Sequence, residues 1–230
     1  METVDIEYKF KLDGVLLESF EIHLDAQTGK IVIPSSNNLP EWTQLGFEQC
    51  PNCPYDTADT ERCPAAVSIV DLVRCFNGLV SHDLIEVEVI TSARRMIQQT
   101  AVQSGISSLM GLLIASSGCP RSAYFRPMAR FHLPLFEPEE TIYRVTTMYL
   151  LAQYFRKKEN KMPDRALEGL TEIYRNMQII NNALAGRIRA ASETDSSVNA
   201  LVMLDMHAKT AYYVIEDYLD ELRPMFSAYF

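Results

Sequence analysis

Four of the five cysteines in this 230-residue chain are followed directly by proline. Cys50 and Cys53 form a Cys-x-x-Cys pair, and Cys63 follows after nine intervening residues. A Cys-x-x-Cys turn brings two thiolates within reach of one metal ion. Proline holds the preceding residue in an extended conformation, which helps to aim each thiolate out of its loop. The spacing therefore predicts a metal centre in a cysteine-rich loop at residues 46–66.

Tetrahedral zinc and a four-iron cluster both require a fourth ligand. Cys119 is the remaining cysteine that precedes a proline, so we expect it to be that ligand, with His132 as the alternative. Cys75 precedes Phe76 and has apolar neighbours, which predicts a small core side chain. The acidic segment Met1–Asp5 lacks the apolar centre of an export signal, so we expect a cytoplasmic protein. Cytosolic thiols are normally reduced, which favours metal ligands over disulfides.

The identity of the metal stays open at this point. Zinc is the first choice, because a zinc ion suits a loop that joins two subdomains. A zinc ribbon usually has two Cys-x-x-Cys pairs and this chain has one, so a 4Fe–4S cluster is the alternative. Ferredoxins also place proline after a ligand cysteine. A haem held by a Cys-Pro thiolate is a third choice.

A basic stretch follows in a chain whose formal net charge is −9. Residues 89–136 contain no acidic side chain and carry Arg94, Arg95, Arg121, Arg126, Arg130 and His132. Guanidinium groups recognise carboxylate or phosphate through paired hydrogen bonds. One interpretation is an anion-binding pocket beside the metal, formed by Arg121, Arg126, Arg130 and His132. The other is that these arginines pair with Glu137, Glu139, Glu140 and the acidic helices. The overall negative charge disfavours nucleic-acid binding.

The N-terminal part has the pattern of a small antiparallel β meander, which we place at residues 1–45. Apolar and charged residues alternate from Val4 to Leu12, as in a half-buried strand, and Asp13-Gly14 is typical of a hairpin turn. Further strands are predicted around residues 20–24 and 31–33. Together with the helices that follow, this predicts the α+β fold class.

Residues 67–230 are predicted to form a larger, mainly helical domain. It has a strand candidate at 85–89, a long helix at about 92–116, an irregular stretch to 138 and a helix at 141–158. Asp164 and Asp195 can cap two further helices, which we expect to form an antiparallel hairpin. Their apolar faces predict an intramolecular core, with a homodimer through these C-terminal helices as the alternative. The longest apolar stretch, 106–116, is too short to cross a bilayer, so no membrane span is expected.

Several segments of the chain resemble those of an uncharacterised bacterial protein family of unknown function. They are Cys50-Pro-Asn-Cys53-Pro, Cys63-Pro-Ala-Ala, Ser117-Gly-Cys119-Pro and Pro127-Met-Ala-Arg130-Phe-His132-Leu-Pro134. The resemblance covers about residues 40–160. It implies a bacterial cytoplasmic setting and supplies no activity, ligand or catalytic residue.

The usual catalytic signatures are missing from the sequence: it has no Walker loop, GxGxxG, HExxH or GxSxG motif. The pattern therefore favours a non-enzymatic binding or regulatory protein. Its zinc would dock the β meander onto the helical domain near Cys119, and its partner would be a protein or a small anionic ligand. The alternative is an enzyme or redox sensor whose zinc or iron–sulfur centre faces the arginine-lined pocket.

Overall fold

A computed structural model describes residues 2–32, 39–76, 79–135, 137–191 and 196–230. The fold is α+β, as predicted, with a small antiparallel sheet in the N-terminal part and a larger helical part. The four strands are β1 (Thr3–Leu12), β2 (Val15–Asp25), β3 (Leu84–Thr91) and β4 (Arg95–Ala101). Their order in the sheet is β2-β1-β3-β4.

The predicted N-terminal hairpin is present. Asp13 (φ 50°) and Gly14 (φ 80°) form its turn, in the left-handed conformation that two-residue hairpin loops require. Strand β1 is antiparallel to β2 on one side and to β3 on the other, so it lies inside the sheet. Tyr8 and Phe10 are fully buried, and the alternation along β1 therefore reflects one face packed on the core.

Two predicted elements differ from the structure. Ile31 forms only a single bridge with Leu24 instead of a strand, and residue 33 lies outside the described residues. The first part of the predicted helix at 92–116 is strand β4, and the helix begins at Val102. The side chain of Thr91 accepts hydrogen bonds from the backbone N–H groups of Ala93 and Arg94, at 3.3 and 3.2 Å, which closes the β3–β4 hairpin. Pairing with β3 thus determines the conformation of residues that have a helix-like pattern.

The helices are α1 (Pro64–Ser68), α2 (Val70–Cys75), α3 (Val102–Ser116), α4 (Arg126–Arg130), α5 (Pro138–Lys158), α6 (Glu168–Ala191) and α7 (Ser196–Leu222). Helix α6 packs against α7, and α7 packs against α3. Asp164 accepts backbone hydrogen bonds from Ala166 and Gly169, at 2.9 and 2.8 Å, so it caps the first turn of α6 as predicted. The predicted cap Asp195 lies outside the described residues.

Helix α3 lies directly on the sheet. At Gly105 a β-carbon would come within 2.8 Å of Val87 Cγ2, which shows how closely the helix approaches strand β3. One apolar core joins the sheet, the segment around Trp42 and helices α1, α2, α3, α6 and α7. Residues 84–101 supply two of the four strands, so segments on both sides of residue 67 form one sheet.

Cys75 is exposed, so the prediction that it is a core side chain was wrong. It stands at the last position of α2, on the exposed side of the helix with Asp71 and Arg74. Among the described residues, no helix is both long enough and apolar enough to cross a membrane.

Candidate functional site

The first three cysteines lie in a loop that is closed by backbone hydrogen bonds. The Cys53 N–H donates to Cys50 O at 2.9 Å, which forms the turn of the Cys-x-x-Cys pair. The Cys63 N–H donates to Thr43 O at 2.8 Å and ties the two ends of the loop together. Cys63 has φ −72° and ψ 116°, the extended conformation predicted for a residue before proline.

The fourth cysteine comes from a separate segment that the loop contacts directly. Cys119 follows the end of α3, and its N–H donates to Ser117 Oγ at 3.3 Å. The Tyr55 hydroxyl donates to Gly118 O at 3.1 Å, and Arg121 Nε donates to Asn52 O at 3.0 Å. These bonds hold the Cys-x-x-Cys turn against residues 118–121.

Cys50, Cys53, Cys63 and Cys119 all line one small cavity of about 20 Å³. A space of about 10–15 Å³ is enough for one water-sized particle, so the cavity has room for a single ion. His132, the alternative fourth ligand, is not part of its lining. Two segments far apart in the chain thus place four thiols around one space.

The surroundings of Cys50 and Cys63 disfavour the thiolate form. Burial raises the pKa of Cys50 to about 12, and the nearby thiols of Cys63, Cys119 and Cys53 add to the effect. Burial also raises the pKa of Cys63, although the backbone N–H of Ala66 opposes this. Within the described part of the chain, no three His, Cys, Asp or Glu side chains are already arranged to hold an ion. Metal binding would therefore require the sulfurs to lose protons and to close in to about 2.3 Å from a zinc ion.

A buried arginine stands beside the thiols. Arg187 lies on α6, is 1 % exposed and lines the cysteine cavity. Its Nη1 donates to Trp42 O and Gln44 O at 2.6 and 2.7 Å, and its Nη2 donates to Leu45 O at 3.0 Å. No carboxylate among the described residues pairs with it. A buried cation with no counter-charge is costly, so an anion beside it would be stabilised.

Sequence reasoning missed Arg187, because it lies between apolar positions of α6 and its partners are backbone carbonyls. Gly186 contributes to this contact: a β-carbon there would lie 3.1 Å from Glu48 Cγ. The absence of a side chain at residue 186 allows the loop to approach α6 next to Arg187.

The four residues predicted to bind an anion do not line one pocket. Arg121 lines the cysteine cavity, and His132 lines a second cavity described below. Arg126 Nη2 donates to Ser117 O at 3.2 Å, and Arg130 Nε donates to Ala26 O at 3.4 Å. None of the three arginines forms an ion pair with a described acidic residue. The alternative prediction, ion pairs with Glu137, Glu139 and Glu140, is therefore not found among the described residues.

The second cavity has a volume of about 460 Å³ and lies between α3, the segment 125–144, α6 and α7. At its wall the Tyr8 hydroxyl is hydrogen-bonded to His132 Nε2 and, at 2.9 Å, to Ser108 Oγ. Burial, followed by the charge of Arg144, lowers the pKa of His132 to about 3. His132 is therefore a neutral hydrogen-bonding group at physiological pH.

The comparisons with known proteins identify a family. The family model described as a domain of unknown function, DUF6901, matches residues 6–227, so this chain belongs to that family. The match confirms the expectation of an uncharacterised family. No curated protein and no solved structure matches the chain.

Proposed function

We propose that this DUF6901 protein is a cytoplasmic binding or regulatory protein in which Cys50, Cys53, Cys63 and Cys119 hold one structural zinc ion. The observation that carries the proposal is the convergence of four cysteines, from two segments, on one cavity beside the buried cation Arg187. Four protein ligands fill the tetrahedral sphere of zinc and leave no open position, which is typical of a structural site.

Charge supports this assignment. A zinc ion bound by four thiolates carries a net charge of −2, because each deprotonated cysteine contributes one negative charge to the +2 of the ion. Burial raises the pKa values of Cys50 and Cys63, and the nearby charge of Arg187 partly opposes that rise. An anionic centre would offset the cost of burying Arg187, and Arg187 would in turn favour the thiolate forms.

The size of the cavity favours zinc over the iron–sulfur alternative. A four-iron cluster has eight core atoms, whereas about 20 Å³ is room for one ion. A haem would need far more space. The size of the cavity therefore disfavours the iron–sulfur and haem forms of the centre, and a zinc enzyme stays the alternative.

The proposed ion would join three parts of the chain. The loop at residues 43–63 supplies three ligands, the segment after α3 supplies Cys119, and α6 supplies Arg187. Cys50, Cys63 and Cys119 pack against an apolar core that extends over the sheet and several helices, so zinc would fix this edge of the core rather than fold the whole protein.

The proposed partner is another protein, a second copy bound through the C-terminal helices, or a small anionic ligand. A feature relevant to a protein partner is an exposed apolar face on α5, formed by Tyr143, Leu150, Leu151, Tyr154 and Phe155. Light scattering on the purified protein tests the homodimer: a molar mass of 26.1 kDa would contradict it, and twice that value would support it.

Elemental analysis and a visible absorption spectrum test the metal centre, on protein purified without oxygen or added metal. One zinc per chain and a colourless sample are expected. A brown sample that contains iron and sulfide would show that the centre is a 4Fe–4S cluster instead of zinc. A sample that binds no metal, even when zinc is supplied under reducing conditions, would refute the proposal.

Single variants test the ligands. Cys50→Ser and Cys119→Ser should each reduce the zinc content, whereas the matched control Cys75→Ser should retain one zinc, because Cys75 is exposed and does not line the cavity. Full zinc content in Cys119→Ser would show that the fourth ligand is another group.

A further inference from the structure

The 460 Å³ cavity is a second candidate site, distinct from the cysteines. Its volume lies within the range of about 300–1,000 Å³ that is typical of small-molecule sites. Most of its wall is apolar and includes Leu112, Met128, Leu133, Met177, Met203 and Leu204. Methionine side chains adapt to the shape of a bound molecule, so three of them in one wall suit an apolar ligand.

One polar group in this wall lacks a partner. Asn181 lies on α6, is 3 % exposed and lines the cavity. Its Oδ1 has no hydrogen-bond partner among the described residues. An unsatisfied buried acceptor costs about 1–3 kcal/mol, so a donor on a bound molecule would relieve that cost.

One cationic side chain lies at another part of the cavity. Arg144 lines it, is half-buried and donates through Nη2 to Phe131 O at 2.7 Å. Burial lowers the pKa of Arg144; the charge of Glu140 opposes this shift, and that of Arg94 adds to it. Arg144 forms no ion pair within the described residues.

The nearest carboxylates are already engaged. Glu137, which also lines the cavity, accepts the N3 backbone N–H of α5, and Glu140 Oε2 accepts the Glu137 N–H at 2.9 Å. These reciprocal bonds form a capping box. The donors of Arg144 that remain are therefore available to an anion in the cavity.

We propose that this cavity binds a small amphipathic carboxylic acid that carries a hydroxyl or amide N–H on its apolar body. The carboxylate is held by Arg144, the body contacts the methionine and leucine side chains, and the donor group bonds Asn181 Oδ1. A carboxylate fits better than a dianionic phosphate, because Glu137 adds a negative charge to the wall. The observations behind this proposal do not involve the metal centre.

The test is isothermal titration of the full-length protein, as purified, with four probes: decanoate, ω-hydroxydecanoate, decanol and decyl phosphate. Decanoate should bind about tenfold more tightly than decanol, since a hydrogen bond to a charged group contributes about 1.5–3 kcal/mol. The ω-hydroxyl should improve the affinity further, by about two- to tenfold.

Variants separate the two polar contacts. Arg144→Gln should weaken decanoate binding by about tenfold and change decanol affinity by less than twofold. Arg144→Lys should keep part of the preference for decanoate over decanol. Asn181→Leu should remove the advantage of ω-hydroxydecanoate over decanoate. Arg156→Gln, on the same helix and outside the cavity, is the matched control and should bind all probes like the unaltered protein.

Three results would overturn the proposal. If decanol binds as tightly as decanoate, or if no probe binds, the cavity is not a site for this class of ligand. If decyl phosphate binds tenfold more tightly than decanoate, the anion is a phosphate and the carboxylate assignment is wrong. Circular dichroism of each variant distinguishes lost binding from lost folding.

Discussion

Replacing Arg187 by methionine should destabilise the protein strongly, because its guanidinium holds three carbonyls in the segment that leads into the cysteine-rich loop. The substitution keeps most of the side-chain volume and removes the bonds to Trp42 O, Gln44 O and Leu45 O. Each such bond contributes about 1.5–3 kcal/mol in isolation, and the losses are not additive, so we expect about 4 kcal/mol in total. For a domain of this size that corresponds to a fall in Tm of about 10 °C.

Denaturation in urea, followed by tryptophan fluorescence, measures this effect. Trp42 is the single tryptophan, and its own carbonyl accepts a bond from Arg187, so the signal comes from the affected loop. The control is Arg187→Lys, which retains the charge but has no planar fork to reach three carbonyls. It should lose about half as much stability. A loss below about 1 kcal/mol for the methionine variant would refute the argument.

The same variant tests the relation between Arg187 and the proposed zinc. If the guanidinium neutralises part of a thiolate centre, Arg187→Met should also weaken zinc binding by at least about tenfold, or 1.4 kcal/mol. Competition with a zinc chelator measures that affinity. An unchanged affinity would show that Arg187 only supports the loop.

Three further outcomes are expected. Chelation of zinc should lower the Tm of the unaltered protein and leave that of Cys50→Ser unchanged; equal shifts in both would contradict a ligand role. Gly105→Val should cost about 1–3 kcal/mol, since its β-carbon would lie 2.8 Å from Val87 Cγ2, and an unchanged thermal transition would contradict that close packing. Hydrogen bonds from Arg95, then from Lys11, lower the pKa of Glu88 to about 2 from an ordinary value of 4.5. This contribution to stability should be complete above about pH 4.5 and be lost as the pH falls towards 2, so Glu88→Gln should flatten that part of the acid unfolding curve; coincident curves would contradict it.

The elements that local sequence determines were predicted well. The β1–β2 hairpin depends on alternation and on the Asp13-Gly14 turn, both of which are visible within residues 3–25. Strand β4 was missed because its conformation depends on pairing with β3, as in the pair Val89 and Met96. A helix pattern read along the chain contains no information about such a neighbour.

The candidate metal centre likewise combines a residue that the sequence pattern marks with one that it does not. Cys119 was selected from the Cys-Pro pattern, and the structure places it in the cavity of the other three cysteines. Arg187 gave no comparable signal, because its partners are main-chain carbonyls 142 to 145 positions away in the sequence. Any residue type has a carbonyl, so the sequence does not mark which ones accept a buried cation.

Helix α6 forms a wall of both cavities, with different faces. Tyr174, Met177 and Asn181 line the larger cavity, whereas Ile180, Leu184 and Arg187 line the cysteine cavity. Each set follows the spacing of about three to four residues that places side chains on one helix face. The position of α6 relative to the cysteine loop therefore also sets the position of Asn181.

Removal of zinc should consequently weaken ligand binding, even though the two proposed sites share no residue. Without the ion, the cysteines of the loop are no longer joined to Cys119, so the loop is less firmly fixed against Arg187. Helix α6 is then less constrained at the point where it carries Asn181. We expect decanoate and ω-hydroxydecanoate to bind at least about fivefold more weakly after chelation, the lower end of typical coupling between sites. By linkage, either ligand should raise zinc affinity by the same factor. Titration of zinc-loaded and of chelated protein with each ligand measures the change in ligand affinity, and titration with zinc in the presence and absence of ligand measures the change in zinc affinity. Cys75→Ser serves as a zinc-retaining control. Affinities that agree within twofold would show that packing of α6 against α7 alone holds Asn181 in place.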